Sequence, residues 1–349
     1  DVTKLKPEIK KESAIPPDDE HVSPWNIATQ FKVDMSLGYE EIKAMLDDYR
    51  QEYALEYERT GKDKYKITID TAAVAAKLRE VTSGYPFLVS RLCKIIDEDL
   101  GKDWSEDGFE QAVKMLLSET NTNSEQLLKR FKENQAFEKT VRALLIYDKK
   151  ISYNVHDDVI KYGELYGILR KDSEGHVAVA NYIYTNIIFD YLTSVTMREN
   201  KIDVPKLDYI TDDGGLDVLK VLQNFRTFIK EYYHSKNLDW LEENARLWFL
   251  TFLKPIINGS GFAFIEPEVG DRKRTDVMVT FNKKRYIIEL KIWYYEKRYQ
   301  EGLDQLARYL DSCGLDTGYI LMFDFHNKRE SYPEVEERHG KKMYVVKLP

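Results

Sequence analysis

Two β-rich runs separated by a short polar break constrain most strongly what this chain can fold into. The runs cover residues 275–281 and 285–293, and Asn282, Lys283 and Lys284 form the break between them. Such a pattern predicts a β-hairpin. Folding back at the break would place Asp276 opposite a position within a residue or so of 289–291. Glu289 and Lys291 are two apart in one strand, so both side chains would point to the same side of the sheet.

The predicted hairpin would bring two carboxylates and one ammonium group together at a sheet edge. Crowded carboxylates disfavour each other's charge, so something must neutralise them. Mg²⁺ favours carboxylate oxygens and water, and it could activate a water and stabilise charge on a phosphate. The plainer alternative is a solvated cross-strand ion-pair cluster. Against it, Glu289 lies in the apolar run 286–293, which predicts a central strand where an unused charge costs free energy.

This arrangement resembles the PD-(D/E)XK nuclease superfamily, with Asp276 as the Asp of its motif and Glu289-Leu290-Lys291 as its ExK. The resemblance covers roughly residues 216–330. It implies that Asp276 and Glu289 bind Mg²⁺ or Mn²⁺, that the Leu290 carbonyl adds a ligand, and that Lys291 assists the attacking water. The implied activity is metal-dependent hydrolysis of nucleic acid, with DNA as the expected substrate.

Other residues extend this resemblance. Thr275 stands where the family often has Pro, a common departure. An acidic residue on the helix before the first strand often joins the metal site, and Glu243 suits that position, with Glu242 as the alternative. Gln305 and Tyr309 lie at i and i+4 on the helix after the ExK strand, where the family often has a Gln and a Tyr that support substrate or site geometry. The plainer interpretation of this last pair is ordinary helix surface or core edge.

Basic charge is concentrated in the C-terminal part of the chain. The net charge of the whole chain is −8, which argues against a surface coated in basic residues. Residues 216–349 contain 22 Lys and Arg against 20 Asp and Glu, so the remainder carries about −10. A nucleic-acid surface should therefore lie in this part. Lys273 and Arg274, next to Arg272, form a candidate phosphate-binding cluster, for which a solvated loop is the alternative.

The N-terminal half is predicted to be mostly helical and shows a second resemblance. Gly84-Tyr85-Pro86, followed by an apolar helix, resembles the lid region of AAA-type ATPases of the STAND-like kind, and residues 23–41 resemble the segment before that lid. Two helices, a small hairpin and a closing helix between 137 and 195 make a winged-helix pattern. The predicted fold is therefore multidomain, with an α-helical AAA lid and winged helix before an α/β, restriction-endonuclease-like domain around a mixed central sheet. The predicted domains are a helical AAA-type lid or ATPase remnant, a winged-helix-like domain and a nuclease-like domain at 1–130, 131–200 and 216–349.

The phosphate-binding loop of such an ATPase is missing from the sequence. Gly61-Lys62 and Gly340-Lys341 both lack the upstream glycine and the following Ser or Thr, so neither can form the backbone cradle. ATP hydrolysis is not expected. We expect this chain to be the C-terminal portion of a longer ATPase–nuclease; if it is complete, its first half is a lone helical and winged-helix module. Self-association through the AAA-type module is implied by analogy alone.

Composition bounds the remaining possibilities. The two cysteines exclude a disulfide framework and fit a reducing cytoplasm. The sequence contains no run of about 18 apolar residues, so neither a membrane span nor a membrane partner is expected. Two rival functions stay open: a catalytically inert nuclease fold and winged helix that binds nucleic acid or protein, and a mainly structural ATPase-associated regulator.

Overall fold

The computed structural model describes most of the chain from Ser36 to Leu348. The residues left out of this description are 1–35, 148, 203, 205–207, 234–237, 259, 266–267, 270–272, 275–276, 293–295, 325–333 and 349. Backbone alone is described for 232–233, 238–243, 268–269, 273–274, 292 and 298. Among the described helices, none has the length and apolar character that crossing a membrane requires.

The first half of the chain is mostly helical, as the apolar periodicity predicts. Its described helices are α1 (Tyr39–Thr60), α2 (Thr71–Thr82), α3 (Pro86–Lys94), α4 (Glu106–Ser118), α5 (Thr122–Glu133), α6 (Gln135–Leu145), α7 (Asp158–Leu165) and α8 (Tyr182–Asn200). A short antiparallel hairpin of β1 (Leu169–Lys171) and β2 (Val177–Val179) lies between α7 and α8. The predicted order of two helices, a hairpin and a closing helix is confirmed.

The turn before α3 explains why glycine stands at position 84. Gly84 adopts a φ of 75°, which favours glycine, and its carbonyl accepts a hydrogen bond from the Leu37 N–H at 2.8 Å. A Cβ at this position would lie only 1.9 Å from the Leu37 carbonyl oxygen. Pro86 then occupies the start of the helix, where its missing N–H costs nothing. The turn therefore holds α3 against the segment that enters α1.

The second half combines three helices with a mixed sheet. Its elements are α9 (Val218–Tyr233), α10 (Leu238–Ile257), β3 (Gly261–Ile265), β4 (Glu268–Val269), β5 (Lys273–Arg274), β6 (Val277–Phe281), β7 (Lys284–Ile292), α11 (Glu296–Ser312), β8 (Thr317–Phe323), β9 (Val335–Arg338) and β10 (Lys341–Leu348). Six strands form one sheet in the order β3-β6-β7-β8-β10-β9, and β4 pairs with β5. Strands β7, β8 and β10 are mutually parallel, whereas β3, β6 and β9 pair antiparallel with their neighbours. The predicted mixed α/β arrangement is confirmed at this level.

The predicted hairpin is the β6–β7 pair. Phe281 pairs with Lys284, so Asn282 and Lys283 alone form the loop. Both adopt positive φ, 48° and 65°, as a two-residue type I′ turn requires. The side-chain amide of Asn282 also donates to the Gly214 carbonyl oxygen at 2.9 Å. The turn thus sets the β6–β7 register and attaches it to the segment before α9.

Helices cover both faces of the sheet. Helix α11 covers one face, where it builds a compact apolar cluster with β7, β8 and β10. Helices α9 and α10 lie on the other face, whose buried side chains belong to a larger core that also contains residues of α1–α8. The core is therefore continuous across the predicted boundary at 201–215.

Helix α8 and the sheet meet at strand β3. The Tyr182 and Phe264 rings stack with centroids 6.2 Å apart, and the Asn186 side-chain oxygen accepts the Ile265 N–H at 3.3 Å. Covering an edge strand in this way prevents pairing with another chain. A second contact joins the helical half to the sheet: Arg285 of β7 forms an ion pair with Glu110 of α4 at 2.6 Å. Burial raises the pKa of Glu110, an effect that the nearby Arg285 opposes.

Candidate active site

The candidate site lies on β7, a strand inside the sheet. Strands β6 and β8 flank it, so its backbone is paired on both sides. Alternate side chains of a strand point to opposite faces, and Ile287 belongs to the apolar cluster under α11. Glu289 and Lys291 share that face, as predicted. The side chain of Glu289 is only 1% exposed, which is rare for a carboxylate.

Glu289 and Lys291 form a close ion pair. The Lys291 Nζ lies 2.6 Å from Glu289 Oε1, and the lysine side chain is 25% exposed. Moving a carboxylate out of water costs several kcal/mol unless it is paired and hydrogen-bonded. On the β8 side, the residue in register with Glu289 is the apolar Ile320. The lysine therefore compensates the buried charge, while part of its own side chain stays exposed.

Helix α11 carries the predicted glutamine and tyrosine over the same face. The Gln305 Nε2 donates to the Tyr309 hydroxyl at 2.7 Å. Tyr309 is 1% exposed and belongs to the apolar cluster, whereas Gln305 is half-buried. In this arrangement the tyrosine holds the glutamine side chain in one orientation. Their predicted substrate contact stays a prediction, with Gln305 the more accessible of the two.

A glycine allows α11 to pass close to the lysine. A Cβ added at Gly302 would lie 3.1 Å from Lys291 Cε and 3.7 Å from its Cδ. Such a contact is tight enough that the lysine would have to shift. Gly302 is thus part of the site, although the sequence analysis did not single it out.

The other predicted site residues are described only in part. Asp276 lies outside the described residues, and the backbone alone is described for Glu243, Lys273 and Arg274. In the pairing of β6 with β7, Val277 lies opposite Ile288, the residue before Glu289. The side chains that flank Asp276 and Glu289 in sequence are therefore paired, in agreement with the predicted hairpin register.

Leu290 lies between the two charged residues in sequence but on the other face of the sheet. Its half-buried side chain packs against the larger core, and its register partner is Leu321 of β8. Because the side chain points away from Glu289, only the Leu290 carbonyl could contribute to a metal site, and this contribution remains a prediction.

A second buried carboxylate–lysine pair lies on the α11 face and was missed by the sequence analysis. Asp324 follows β8, is 1% exposed, and its Oδ2 lies 3.3 Å from the Nζ of Lys347 on β10. Lys347 and Lys291 are both in register with Met322, from opposite sides. The β-rich apolar run 343–346 could have predicted β10, but nothing in the sequence shows that β10 is next to β8.

Glu289 is suited to bind a hard cation such as Mg²⁺ through its carboxylate oxygens. Among the described residues, no three His, Cys, Asp or Glu side chains come together as a metal-binding group. Asp276 and Glu243, the two partners predicted for Glu289, are not among the side chains described. The carboxylate oxygens of Glu289 are donors that Mg²⁺ prefers, and the rest of the metal site remains a prediction.

Comparisons with protein-family models, curated proteins and solved structures gave no match to this chain. What is established is a helical region joined to a mixed six-stranded sheet, with a buried carboxylate and a lysine paired on its central strand.

Proposed function

We propose that this chain is a Mg²⁺- or Mn²⁺-dependent nuclease, with DNA as its substrate and a restriction-endonuclease-like sheet as its scaffold. One observation carries the proposal: Glu289 is almost fully buried on an interior strand and lies 2.6 Å from a lysine whose side chain is 25% exposed. Stability alone does not explain an ion pair on an apolar face, because apolar side chains of similar volume would stabilise the fold as well or better.

Metal binding, water activation and substrate binding would fall to different residues of the site. A bound Mg²⁺ would acidify a water and neutralise charge on the scissile phosphate. Glu289 would hold the ion together with Asp276, Glu243 and the Leu290 carbonyl. Lys291 would leave Glu289 to contact the attacking water or a phosphate oxygen. Gln305, held by Tyr309, would orient the substrate, as the resemblance implies. Lys273 and Arg274 would bind phosphates of the DNA backbone.

The N-terminal half would serve as a regulatory module. Its helices and the β1–β2 hairpin follow the order of the AAA-type lid and winged helix that the sequence resembles. Self-association through this module belongs to the same proposal. ATP hydrolysis is not expected from this chain, because its sequence lacks a phosphate-binding loop.

The alternative is a catalytically inert nuclease fold that binds nucleic acid or protein. The close pairing of Lys291 with Glu289 favours this alternative to the extent that each already satisfies the other. Metal binding separates the two functions, because an inert fold has no need for a cation at Glu289.

The first experiment is a cleavage assay on the intact chain. We expect linear single-stranded or duplex DNA to be cut in Mg²⁺ or Mn²⁺ and to stay intact in EDTA. Ca²⁺ serves as a control for binding without efficient hydrolysis. Cleavage that persists in EDTA, or no cleavage of DNA or RNA in either activating metal, would contradict the proposed function.

Replacing Gly302 by alanine should separate stability from activity. Alanine favours a helix interior by up to about 1 kcal/mol over glycine. Its methyl group would displace Lys291, and such a small misplacement should lower the cleavage rate roughly tenfold. Thermal unfolding and single-turnover cleavage of Gly302→Ala measure the two effects. An alanine variant that cleaves at the wild-type rate would show that the position of Lys291 does not matter.

A further inference from the structure

Two lysines border the same methionine on the face under α11. Lys291 of β7 and Lys347 of β10 are both in register with Met322 of β8, and all three strands run parallel. Neighbouring strands are about 4.8 Å apart, so the two lysine Cα atoms are separated by about 10 Å. Each lysine is the last residue but one of its strand. The row therefore lies at the carboxyl end of the three parallel strands, the edge at which open α/β sheets bind their ligands.

The two lysines have matching environments. Lys291 pairs with Glu289 and Lys347 with Asp324, and each carboxylate is 1% exposed. The lysine side chains are 25% and 24% exposed. Each buried carboxylate thus anchors the ammonium group of a lysine whose side chain is partly exposed. Anchoring reduces the side-chain entropy lost when a ligand binds, and so prepares both ammonium groups for an anion.

We propose that Lys347, positioned by Asp324, binds a second phosphate of the DNA backbone, beside the phosphate at Lys291. This inference rests on the proposed function, because it takes Lys291 to contact the scissile phosphate. A nucleic-acid backbone presents phosphates in a row, and two long, anchored lysines at one sheet edge match neighbouring members of that row. Contacts of this kind set the register of the strand and carry no sequence information.

The test is DNA binding as a function of salt, measured in Ca²⁺ by fluorescence anisotropy with a short labelled duplex. Loss of one phosphate contact should reduce the slope of log K against log[salt] by about 0.9. We expect Lys347→Met to show this change and to weaken binding roughly three- to tenfold at low salt.

Lys341 provides a matched control. It lies six residues earlier on β10, on the same face, and it also pairs with an aspartate, Asp316, at 3.1 Å. It is about 20 Å from Lys347, at the opposite end of the strand. We expect Lys341→Met to bind DNA with the wild-type affinity and salt slope. An equal loss from Lys341→Met, or an unchanged slope in Lys347→Met, would overturn the inference.

A second variant guards against misfolding. Lys347→Met alone leaves Asp324 buried without this partner, which can destabilise the fold. The double variant Asp324→Asn/Lys347→Met removes both charges together and should show the same loss of salt slope with a cooperative thermal transition. If it binds like the wild type, the inference fails.

The outcomes for this inference and for the proposed function are separate. A reduced slope in Lys347→Met, with no cleavage by the wild type, supports the phosphate contact and contradicts the nuclease. Cleavage by the wild type, with unchanged binding by Lys347→Met, supports the nuclease and contradicts the second phosphate contact.

Discussion

Replacing Glu289 by glutamine is expected to lower Mg²⁺-dependent DNA cleavage by about two orders of magnitude or more while the protein stays folded. Losing a metal ligand removes several kcal/mol of transition-state stabilisation, and each 1.4 kcal/mol is about tenfold in rate. Glutamine has the shape of glutamate, and its side-chain oxygen can still accept from Lys291, which lies 2.6 Å from Glu289 Oε1. The fold should therefore be unaffected. Single-turnover cleavage measures the loss of activity, and calorimetric titration with Mn²⁺ measures the loss of metal binding.

Glu337→Gln is the matched control for this substitution. Glu337 is an exposed carboxylate on β9, the edge strand of the same sheet. We expect this variant to bind Mn²⁺ and cleave DNA as the wild type does. If Glu289→Gln still bound Mn²⁺ with wild-type affinity and cleaved normally, Glu289 would not be a metal ligand and the inert alternative would be favoured.

The local part of the site could be predicted from sequence because it depends on neighbours in the chain. Alternation along a strand places Glu289 and Lys291 on one face whatever the rest of the fold does. The polar break at 282–284 predicts a hairpin; Asn282 and Lys283 adopt the positive φ of a tight turn, whereas Lys284 already belongs to β7. Spacing on one helix likewise brought Gln305 and Tyr309 together.

The non-local part could not be predicted in this way. Strand β10 inserts between β8 and β9, and a parallel neighbour of this kind leaves no spacing signal in the sequence. Without that pairing, nothing connects Lys347 with Met322 or with Lys291. Asp324 similarly follows an apolar strand, where a polar residue usually indicates only the end of the element. Its burial depends on the arrangement of β8 and β10.

The extent of the core also exceeds what local patterns show. Helical periodicity predicts the elements of the first half, but it does not say that α8 covers the edge of β3. Asn186, near the start of α8, is 4% exposed, and its side-chain oxygen accepts a hydrogen bond from the Ile265 N–H. Its side-chain amide donates to the Tyr182 carbonyl one turn earlier at 2.9 Å, but nothing local predicts its second partner, the Ile265 N–H, which lies 79 residues away. The predicted domain limits remain predictions, and they run through a shared core.

The stability of variants at the ion pair should reveal whether the pair is kept for function. Lys291→Met leaves Glu289 buried without the ammonium group 2.6 Å away, and this should lower the free energy of unfolding by up to about 3 kcal/mol. The double variant Glu289→Leu/Lys291→Met instead adds apolar side chains to an apolar face. We expect it to be as stable as the wild type or more stable, by up to about 4 kcal/mol, and to be inactive. Urea unfolding at neutral pH without metal measures this order.

Lys284→Met separates this effect from the loss of any lysine on β7. Lys284 pairs with Asp213, but both side chains are well exposed, at 41% and 72%, so the substitution should change the free energy of unfolding by less than about 1 kcal/mol. A double variant at 289 and 291 that is several kcal/mol less stable than the wild type would mean that the pair itself stabilises the fold. Chemistry at Glu289 would then no longer be needed to explain why a carboxylate is buried on this strand.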